Sequence, residues 1–526
     1  MGLSLSFWNW LLAFLPVLTV LILMLAFRWG GARAGGMGWF MAVLVAVLFF
    51  GAGFELLAVA QIKAVLLSLD VFYIIWMALL LFHIAQEAGA IRMIGEALPG
   101  LTEDRVMQSL LIGWLMVTFV QGMGGFGVPV AVCAPMLVGI GFSPVQAVVM
   151  ASIGDGWAVT FGSLGTSFQT LMAVTGLPYE VLGPMSALLL GIAAVPSGLL
   201  VAVIGSGWRS LRRALLPVVV LSLVMGITQY LLVTNGLWTL GSTGAGVVGL
   251  LVGFLLLRLP AYRNHAADKP AGLDLESKTD EGIPLWLSLI GYFLLVFLAF
   301  SVNLIRPLGD FLRQVSFTLE FPEVATRYGW VTAAGPGRAI NLFGHPGAIL
   351  LYASLLSLLI FRMKGAIGSS AWRRIFSRVA RSGVNTSLGV LAMVALASIM
   401  MHSGMIHLLA EGLSVSFGPN LYPAVAPWIG ALGAFITGSN TNSNVLFGVL
   451  QQRSAELLHL SVPLVLGAQT AGASLGSVLA PAKVIVGCST VGLAGQEGEV
   501  LRKSLIYGAI TIGTVALAAF LINLLS

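Results

Sequence analysis

The sequence predicts an all-helical integral membrane protein, and its composition, its apolar stretches and the sign of its charge all favour this fold class. Hydrophobic residues make up 58% of the 526 residues and charged residues only 9%, whereas a soluble domain carries about 25% charged residues. Apolar stretches follow one another nearly from end to end. The net charge of +6 is typical of Lys- and Arg-rich cytoplasmic loops, so it does not indicate a nucleic-acid partner.

Ten stretches are predicted as simple transmembrane helices, because each approaches the length of about 20 mostly apolar residues that one crossing needs. In chain order they are 7–27, 37–60, 65–88, 182–206, 214–234, 240–257, 285–305, 347–362, 384–402 and 504–525. Two further regions, 107–177 and 421–493, are apolar but interrupted by Gly, Pro and polar clusters. We expect spans and re-entrant pieces there, which gives about 12–14 spans in total.

The most polar stretch of the chain lies close to its midpoint. Residues 259–284 predict a central cytoplasmic linker between a first membrane half, 1–258, and a second, 285–526. Each half contains one interrupted region at a comparable position, which is the layout of internal repeats in transporters. We therefore predict two inverted repeats with re-entrant hairpins, supported by layout rather than by sequence identity.

The sequence contains no pattern for a cofactor, a metal or catalysis. Its two cysteines lie inside apolar runs, and neither a Cys/His metal spacing nor a nucleophile–base set is present. We therefore expect no cofactor and no enzymatic activity. The predicted environment is the lipid bilayer of the plasma (inner) membrane, crossed several times, and a homodimer is one assembly that the sequence leaves open.

An uncharged polar run lies between two apolar flanks in the second interrupted region. Residues 437–444 read Thr-Gly-Ser-Asn-Thr-Asn-Ser-Asn. Non-helical backbone at membrane depth survives only where protein buries it or water reaches it, so the run predicts a hairpin tip between two half-helices. Ser443 or Asn444 would cap a helix starting at Val445. Such a helix start favours an anion such as a carboxylate, although oxygens of the same tip could hold Na⁺ instead.

This second tip is predicted to bind substrate rather than only to pack. Small and hydroxyl-bearing residues are common where membrane helices pack closely, but six consecutive polar side chains exceed what packing needs. The predicted substrate-binding residues of the tip are Ser439, Asn440, Thr441, Asn442, Ser443 and Asn444.

A Gly-rich stretch in the first half predicts a matching first tip. Residues 121–129 read Gln-Gly-Met-Gly-Gly-Phe-Gly-Val-Pro, in which glycine lets backbone approach a ligand closely and Pro129 suits the first turn of a helix. Helix packing explains this stretch about as well as binding does. The candidate substrate-binding residues are Gly124, Gly125, Phe126 and Gly127.

Two ionisable residues lie in small-residue stretches downstream of the tips. Asp155 lies within 152–167 and Lys483 within 469–483. Intramembrane charges are costly and are functional hypotheses by default, and the alternative is a structural ion pair, with each other or with backbone. We predict that Asp155 carries a proton and that Lys483 holds a carboxylate or takes the place of a coupling cation.

These residues resemble the lactate permease family of bacterial secondary transporters. The family carries a Gly-Phe-Gly-x-Pro signature, present here at 125–129, and a Gly-Ser-Asp-Thr-Ser-Ser-Asn element that residues 438–444 resemble. Phe161-Gly162, Pro481 and the run 491–497 also look like family positions. The resemblance implies import of L-lactate, and often of glycolate or D-lactate, coupled to protons. It also implies inverted repeats with paired re-entrant hairpins, which often move the substrate in an elevator-like way.

Four positions depart from the family pattern. Gln121 stands where the family usually has Glu, and Asn440 where it usually has Asp, while Asp155 and Lys483 stand where Asn and Ser are expected. An amide cannot bind and release a proton as a buried carboxylate can, so proton coupling through Gln121 or Asn440 is excluded. Residues 439–441 also resemble the Ser-Asn-Thr tips of sodium-coupled dicarboxylate carriers, which keeps Na⁺ open as the coupling ion.

The sequence as a whole predicts a secondary transporter that imports lactate or a related small 2-hydroxy monocarboxylate. The carboxylate would lie between the tips at 122–128 and 438–444, with Lys483 as a counter-charge and a proton as the coupling ion. Two alternatives stay open. One is a sodium-coupled or uncoupled carrier for another organic anion, and the other is an anion channel whose tips form a pore constriction.

Overall fold

The computed structural model describes residues 3–27, 29–90, 102, 104–125, 127–259, 262, 284–288, 290–337, 339–368, 370–493 and 497–525. Ten helices within this part are long and apolar enough to cross a membrane. Shorter apolar helices at Phe7–Leu23 and Val128–Gly139 accompany them. The all-helical membrane fold class is therefore confirmed. The total of 12–14 spans, the inverted repeats and the re-entrant hairpins stay predictions.

The described residues of the first half form ten helices. They are α1 (Phe7–Leu25), α2 (Gly31–Leu48), α3 (Phe54–Glu87), α4 (Arg105–Met123), α5 (Val128–Gly139), α6 (Pro144–Asp155), α7 (Thr166–Thr175), α8 (Tyr179–Ser206), α9 (Leu211–Thr234) and α10 (Gly241–Leu256). Local chemistry sets several of these bounds. Ser143, for example, caps α6 in a reciprocal capping box with Gln146, the pairing that satisfies two free N–H groups at a helix start.

The described residues of the second half are also mainly helical and include a small β segment. After a short helical turn at Leu285–Ser288, its helices are α11 (Ile290–Leu304), α12 (Arg306–Arg313), α13 (Pro346–Met363), α14 (Ala371–His402), α15 (Met405–Thr437), α16 (Asn440–Leu457), α17 (Val462–Ser477), α18 (Pro481–Thr490) and α19 (Glu497–Leu525). Most of the predicted central linker, 260–261 and 263–283, lies outside the described residues.

The predicted span 37–60 is wrong, because the chain turns within it. α2 ends at Leu48 and α3 begins at Phe54. Gly51, between them, has a φ of +67°, a left-handed conformation that glycine adopts at little cost. α3 then runs without interruption through the stretch that the sequence predicts as a separate span at 65–88.

The segment between α12 and α13 folds as a two-stranded antiparallel ribbon. Its paired strands are β1 (Ser316–Phe317) with β6 (Ile340–Asn341), β2 (Glu320–Phe321) with β5 (Gly335–Pro336), and β3 (Val324–Ala325) with β4 (Val331–Thr332). The backbone N–H of Arg327 donates to the carbonyl of Gly51 at 2.9 Å, and the ring of Trp330 stacks on His407. The ribbon therefore covers the α2–α3 turn and the start of α15 at one end of the helices.

The two interrupted regions share one order of elements. In the first, α4 and α5 meet at a tip at 124–127, and a break at 156–165 separates α6 from α7. In the second, α15 and α16 meet at a tip at 438–439, and a break at 478–480 separates α17 from α18. This shared order is the structural observation that favours the predicted repeat.

The helices that support the second tip pack with their backbones in near contact. A Cβ on Gly472 of α17 would overlap the carbonyl oxygen of Pro427 on α15, and a Cβ on Gly430 of α15 would overlap the carbonyl oxygen of Gln469. Small residues allow this close approach between membrane helices. α15 and α17 therefore hold the tip and the break in a fixed relation.

Candidate functional site

The second tip is a tight turn between two helices. α15 ends at Thr437, and Gly438 takes a left-handed φ of +70°. The hydroxyl of Ser439 then accepts the backbone N–H of Asn442 at 3.3 Å and so caps α16, which begins at Asn440. Glycine is the usual residue at such a left-handed helix end, and serine is a preferred cap.

The predicted helix start at Val445, capped by Ser443 or Asn444, is wrong. Ser439 has the extended backbone (φ −146°, ψ 122°) that an N-cap needs, so the helix begins five residues earlier. The polar side chains from Asn440 onward therefore project from the first turns of a helix, in fixed directions, rather than from a loop.

The first region contains a strained break between α6 and α7. α6 ends at Asp155, a 3₁₀ turn follows at Gly156–Ala158, and α7 begins at Thr166. Ser163 and Leu164 have φ values of +48° and +56°. This left-handed conformation costs a non-glycine residue about 1–2 kcal/mol. Strained backbone of this kind clusters at functional sites.

The starts of α7 and α16 meet beside this break. Ser167 Oγ and Thr441 Oγ1 are 3.0 Å apart, and Asn444 Nδ2 donates to the carbonyl of Ser167 at 3.1 Å. Asn440 Nδ2 donates to Thr160 Oγ1 at 3.0 Å. Helix starts carry free N–H groups and a partial positive charge, so two positive helix ends are brought together in one place.

α17 forms a third wall of this polar cluster. Thr160 Oγ1 donates to the carbonyl of Thr470 at 3.1 Å, and the backbone N–H of Thr160 donates to Ser474 Oγ at 3.1 Å. Thr470 Oγ1 accepts Asn444 Nδ2 at 3.0 Å. All four residues are buried, and none carries a charge. The cluster is therefore polar, shielded from solvent and free of fixed charge.

Of the six predicted tip residues, the structure turns three toward the break: Asn440, Thr441 and Asn444. Ser443 instead donates to the carbonyl of Gly430 at 2.7 Å and accepts Gln469 Nε2 at 3.2 Å, so it joins α16 to α15 and α17. The side chain of Asn442 lies near Gly31 of α2. The candidate substrate-binding residues of this tip are therefore the three that share one face of α16.

The first tip reaches the break from another side. Gly124 follows the end of α4, and Gly127, with a φ of +83°, precedes α5. A Cβ on Gly125 would overlap Ser163 Oγ, so the absence of a side chain at Gly125 lets this tip lie against the side chain of Ser163 in the break. Phe126 lies outside the described residues.

Asp155 and Lys483 are both buried beside the cluster. Asp155 is the last residue of α6, and neither of its carboxylate oxygens has a hydrogen-bond partner among the residues that the structure describes. Lys483 lies in the first turn of α18 and donates to Ser477 Oγ at 3.2 Å. The two charges attract each other without direct contact between them. Asp155 lies at the negative C-terminal end of α6, and Lys483 lies at the positive N-terminal end of α18. Each helix dipole therefore disfavours the charge at its own end, which makes the attraction between the two residues more important.

The side of α7 away from α16 is anchored to α3 and α13. Gln169 Nε2 donates to Asp70 Oδ2 at 3.0 Å, and His345 Nε2 lies 3.0 Å from Asp70 Oδ1. His345 Nδ1 accepts the N–H of Gly347, so the neutral ring carries its proton on Nε2 and donates it to Asp70. This buried network fixes the position of α7 and, with it, Ser167.

The cluster is closed to solvent in this structure. Asn440 is 2% exposed and Asn444 is 0% exposed. A cavity of about 390 Å³ lies elsewhere, bounded by Tyr179, Trp238 and Arg313 among others. A second of about 440 Å³ lies between α2, α3 and α14. Neither is lined by the residues at which α7 and α16 meet.

Four residues of the cluster were not singled out from the sequence: Thr160, Ser167, Thr470 and Ser474. They lie within the two small-residue stretches at 152–167 and 469–483, where single Ser and Thr residues look like ordinary packing positions. The available signal was the placement of one such stretch after each tip. This placement indicates which stretch of the chain lies near the tips, but it does not indicate which Ser or Thr side chains within the stretch form the cluster.

A buried, uncharged polar cluster at which interrupted helical segments of an all-helical membrane protein meet is typical of membrane transporters. A family model described as L-lactate permease matches residues 9–526. The chain belongs to the L-lactate permease family, and it is a multi-pass protein of the plasma membrane.

Individual relatives match almost the whole chain. The L-lactate permease of Streptococcus iniae is 30% identical over 463 residues, which cover 86% of this chain and 92% of the relative. The L-lactate permease of Escherichia coli K12 is 26% identical over 539 residues, covering 98% and 96%. The glycolate permease GlcA of the same strain is 26% identical over 538 residues, covering 96% and 95%.

Replacing Thr160 with Val should raise the substrate concentration for half-maximal uptake roughly tenfold. Val keeps the shape of the side chain but removes the hydroxyl that accepts Asn440 Nδ2 and donates to Thr470, and a buried group left unpaired costs about 1–3 kcal/mol. The control is Thr228→Val, whose hydroxyl bonds to a carbonyl within α9. Concentration dependence measured in proteoliposomes should separate the two variants, and identical curves would contradict a role for the cluster.

Proposed function

We propose that this chain is a secondary active transporter that imports lactate or a related small 2-hydroxy monocarboxylate together with a proton. The relatives named as L-lactate and glycolate permeases support a substrate of this class. The observation that carries the proposal is the meeting of the α7 and α16 starts in a buried cluster without fixed charge. Paired helix starts suit one small anion.

The carboxylate of the substrate is assigned to backbone N–H groups in the first turns of α7 and α16. In α16 the cap at Ser439 already occupies the N–H of Asn442, and in α7 the N–H of Phe168 donates to the carbonyl of Thr160. The N–H groups of Ser167 and Thr441 precede these and are the ones we assign to the carboxylate. Backbone donors hold an anion without adding a countercharge that would also have to move.

The proton is assigned to Asp155. An ionised carboxylate is costly to bury when no donor satisfies it, and within the described part of the chain both oxygens of Asp155 lack a hydrogen-bond donor. Lys483 attracts this carboxylate from α18 and supplies the counter-charge when Asp155 is ionised. Gln121 and Asn440 are amides and cannot take this role. Binding of the proton at Asp155 would then be coupled to binding of the anion at the cluster.

Uptake of labelled L-lactate into proteoliposomes tests the proposal. We expect accumulation when the outside is made acidic, no accumulation in protein-free vesicles, and no requirement for Na⁺. Uptake that needs a Na⁺ gradient and ignores the pH gradient would contradict the proton assignment. Electrical currents far above the turnover of a carrier would identify a channel instead, and absence of any lactate uptake would contradict the transport assignment itself.

A further inference from the structure

The amide oxygens of Asn440 and Asn444 are buried acceptors without a partner among the described residues. Neither oxygen is exposed to solvent. A buried polar group without a partner carries a free-energy cost comparable to a lost hydrogen bond. The two residues are four positions apart on α16 and therefore lie on one face of that helix.

Hydrogen-bond chemistry fixes the direction of the Asn444 amide and favours one direction for the Asn440 amide. Asn444 Nδ2 faces the carbonyl of Ser167 at 3.1 Å, and a carbonyl only accepts, so the nitrogen must be on that side. The nitrogen of Asn440 faces Thr160 Oγ1 at 3.0 Å, and this direction leaves the Thr160 hydroxyl hydrogen for the carbonyl of Thr470 at 3.1 Å. In both residues the oxygen is the atom left over.

The missing hydrogen-bond donor at these oxygens indicates which chemical group of a ligand would contact them. They need a hydrogen-bond donor, and a carboxylate has none. A bound cation is disfavoured here, because Asn440 and Asn444 lie in the first turns of α16 and next to the start of α7, where the helix dipoles are positive. A hydroxyl group next to the carboxylate is the donor that an anionic substrate can bring.

We propose that the 2-hydroxyl hydrogen of the transported acid is shared between the amide oxygens of Asn440 and Asn444, as a bifurcated hydrogen bond, and that this contact selects 2-hydroxy monocarboxylates. The inference rests on the proposed transport function and deepens it, because it assigns the carboxylate to the helix starts and the hydroxyl to the two amides. A 2-oxo acid presents only an acceptor at the same position, and an unsubstituted acid presents no polar group there. Both should bind more weakly than the 2-hydroxy acid.

Competition in proteoliposomes tests this selectivity with three acids of similar size. Uptake of labelled L-lactate at neutral pH is inhibited with unlabelled L-lactate, pyruvate or propionate, all of which are ionised. For the unaltered protein we expect half-inhibition by pyruvate and by propionate at concentrations roughly tenfold or more above that of lactate, the effect of leaving a buried acceptor unpaired. This measurement depends on no variant and so stands even if a substitution impairs folding.

Two variants and a matched control locate the effect. In Asn440→Ala and Asn444→Ala the half-inhibiting concentration of propionate divided by that of lactate should fall toward one. The reason is that lactate loses the hydrogen bond from its 2-hydroxyl group, which propionate never makes. The control is Gln229→Ala on α9, which removes a buried amide oxygen that likewise has no partner among the described residues and lies outside the helices that form the cluster. Its ratio should equal that of the unaltered protein.

Each other outcome overturns the assignment in a distinct way. Equal inhibition by the three acids in the unaltered protein would contradict the contact between the 2-hydroxyl group and these oxygens. An unchanged ratio of half-inhibiting concentrations in both asparagine variants would contradict it as well. Loss of affinity for all three acids together, accompanied by loss of a Na⁺ requirement, identifies a cation as their partner. Uptake no greater than in protein-free vesicles contradicts transport of lactate itself, and the assignment with it.

Discussion

Asp155→Asn should abolish the accumulation of lactate driven by a pH gradient while leaving exchange of lactate across the membrane intact. The substitution keeps the shape of a fully buried side chain but removes the group to which the coupling proton is assigned. One unit of pH gradient corresponds to about 1.4 kcal/mol, so one proton per anion supports about a tenfold accumulation. In the variant this ratio should fall to about one, because nothing couples the two flows.

The measurement compares two modes of transport in the same proteoliposomes. Uptake under an inward proton gradient reports coupling, whereas exchange of external labelled lactate for internal unlabelled lactate needs only the anion site. Glu499→Gln is the control, since it neutralises an exposed carboxylate that pairs with Lys503 at 2.8 Å. Full gradient-driven accumulation in Asp155→Asn would contradict the assignment of the proton. Loss of both modes would show that Asp155 is needed for the anion site as well.

Gly472→Ala should destabilise the protein by roughly 3 kcal/mol or more, a large effect for the addition of one methyl group. The new Cβ would overlap the carbonyl oxygen of Pro427. This obstacle is backbone, which cannot rotate away as a side chain can. α15 and α17 would have to separate, and Gly430 and Gly476 sit in the same close contact between these helices. The tip that α15 carries and the wall that α17 supplies would both shift.

Thermal unfolding in detergent, followed as the fraction that stays monodisperse after heating, measures this effect. Gly36→Ala is the matched control, because Gly36 lies inside α2 and a Cβ there would meet nothing within 4 Å. The control should be neutral or slightly stabilising, by about 0.5–1 kcal/mol, since alanine is the better helix residue. Equal thermal behaviour of the two variants would contradict the close packing of α15 on α17.

Hydropathy predicts the class of the fold but not every turn within it. The apolar runs on both sides of Gly51 merge in any window of 20 residues, so 37–60 reads as one span. The turn depends on a single left-handed glycine. The ribbon at Ser316–Asn341 depends on pairing between distant short strands, which no local periodicity reveals.

The sequence predicts the segment that carries one side of the candidate polar cluster, whereas it does not predict the hydrogen-bond partners within the cluster. The uncharged run at 437–444 stands out because its flanks are apolar. Its helix start was misplaced because Ser439 and Ser443 are equally good caps by type, and the choice depends on the left-handed turn at Gly438. The contact between Ser167 and Thr441 joins residues 274 positions apart, and a single sequence carries no signal for such a pair.

A structure of the protein with bound L-lactate, determined by electron cryomicroscopy in lipid nanodiscs, tests the central claim most directly. We expect the carboxylate within about 3 Å of the backbone N–H groups of Ser167 and Thr441, between the starts of α7 and α16. Lactate density in the cavity bounded by Tyr179, Trp238 and Arg313, with nothing between the two helix starts, would contradict it.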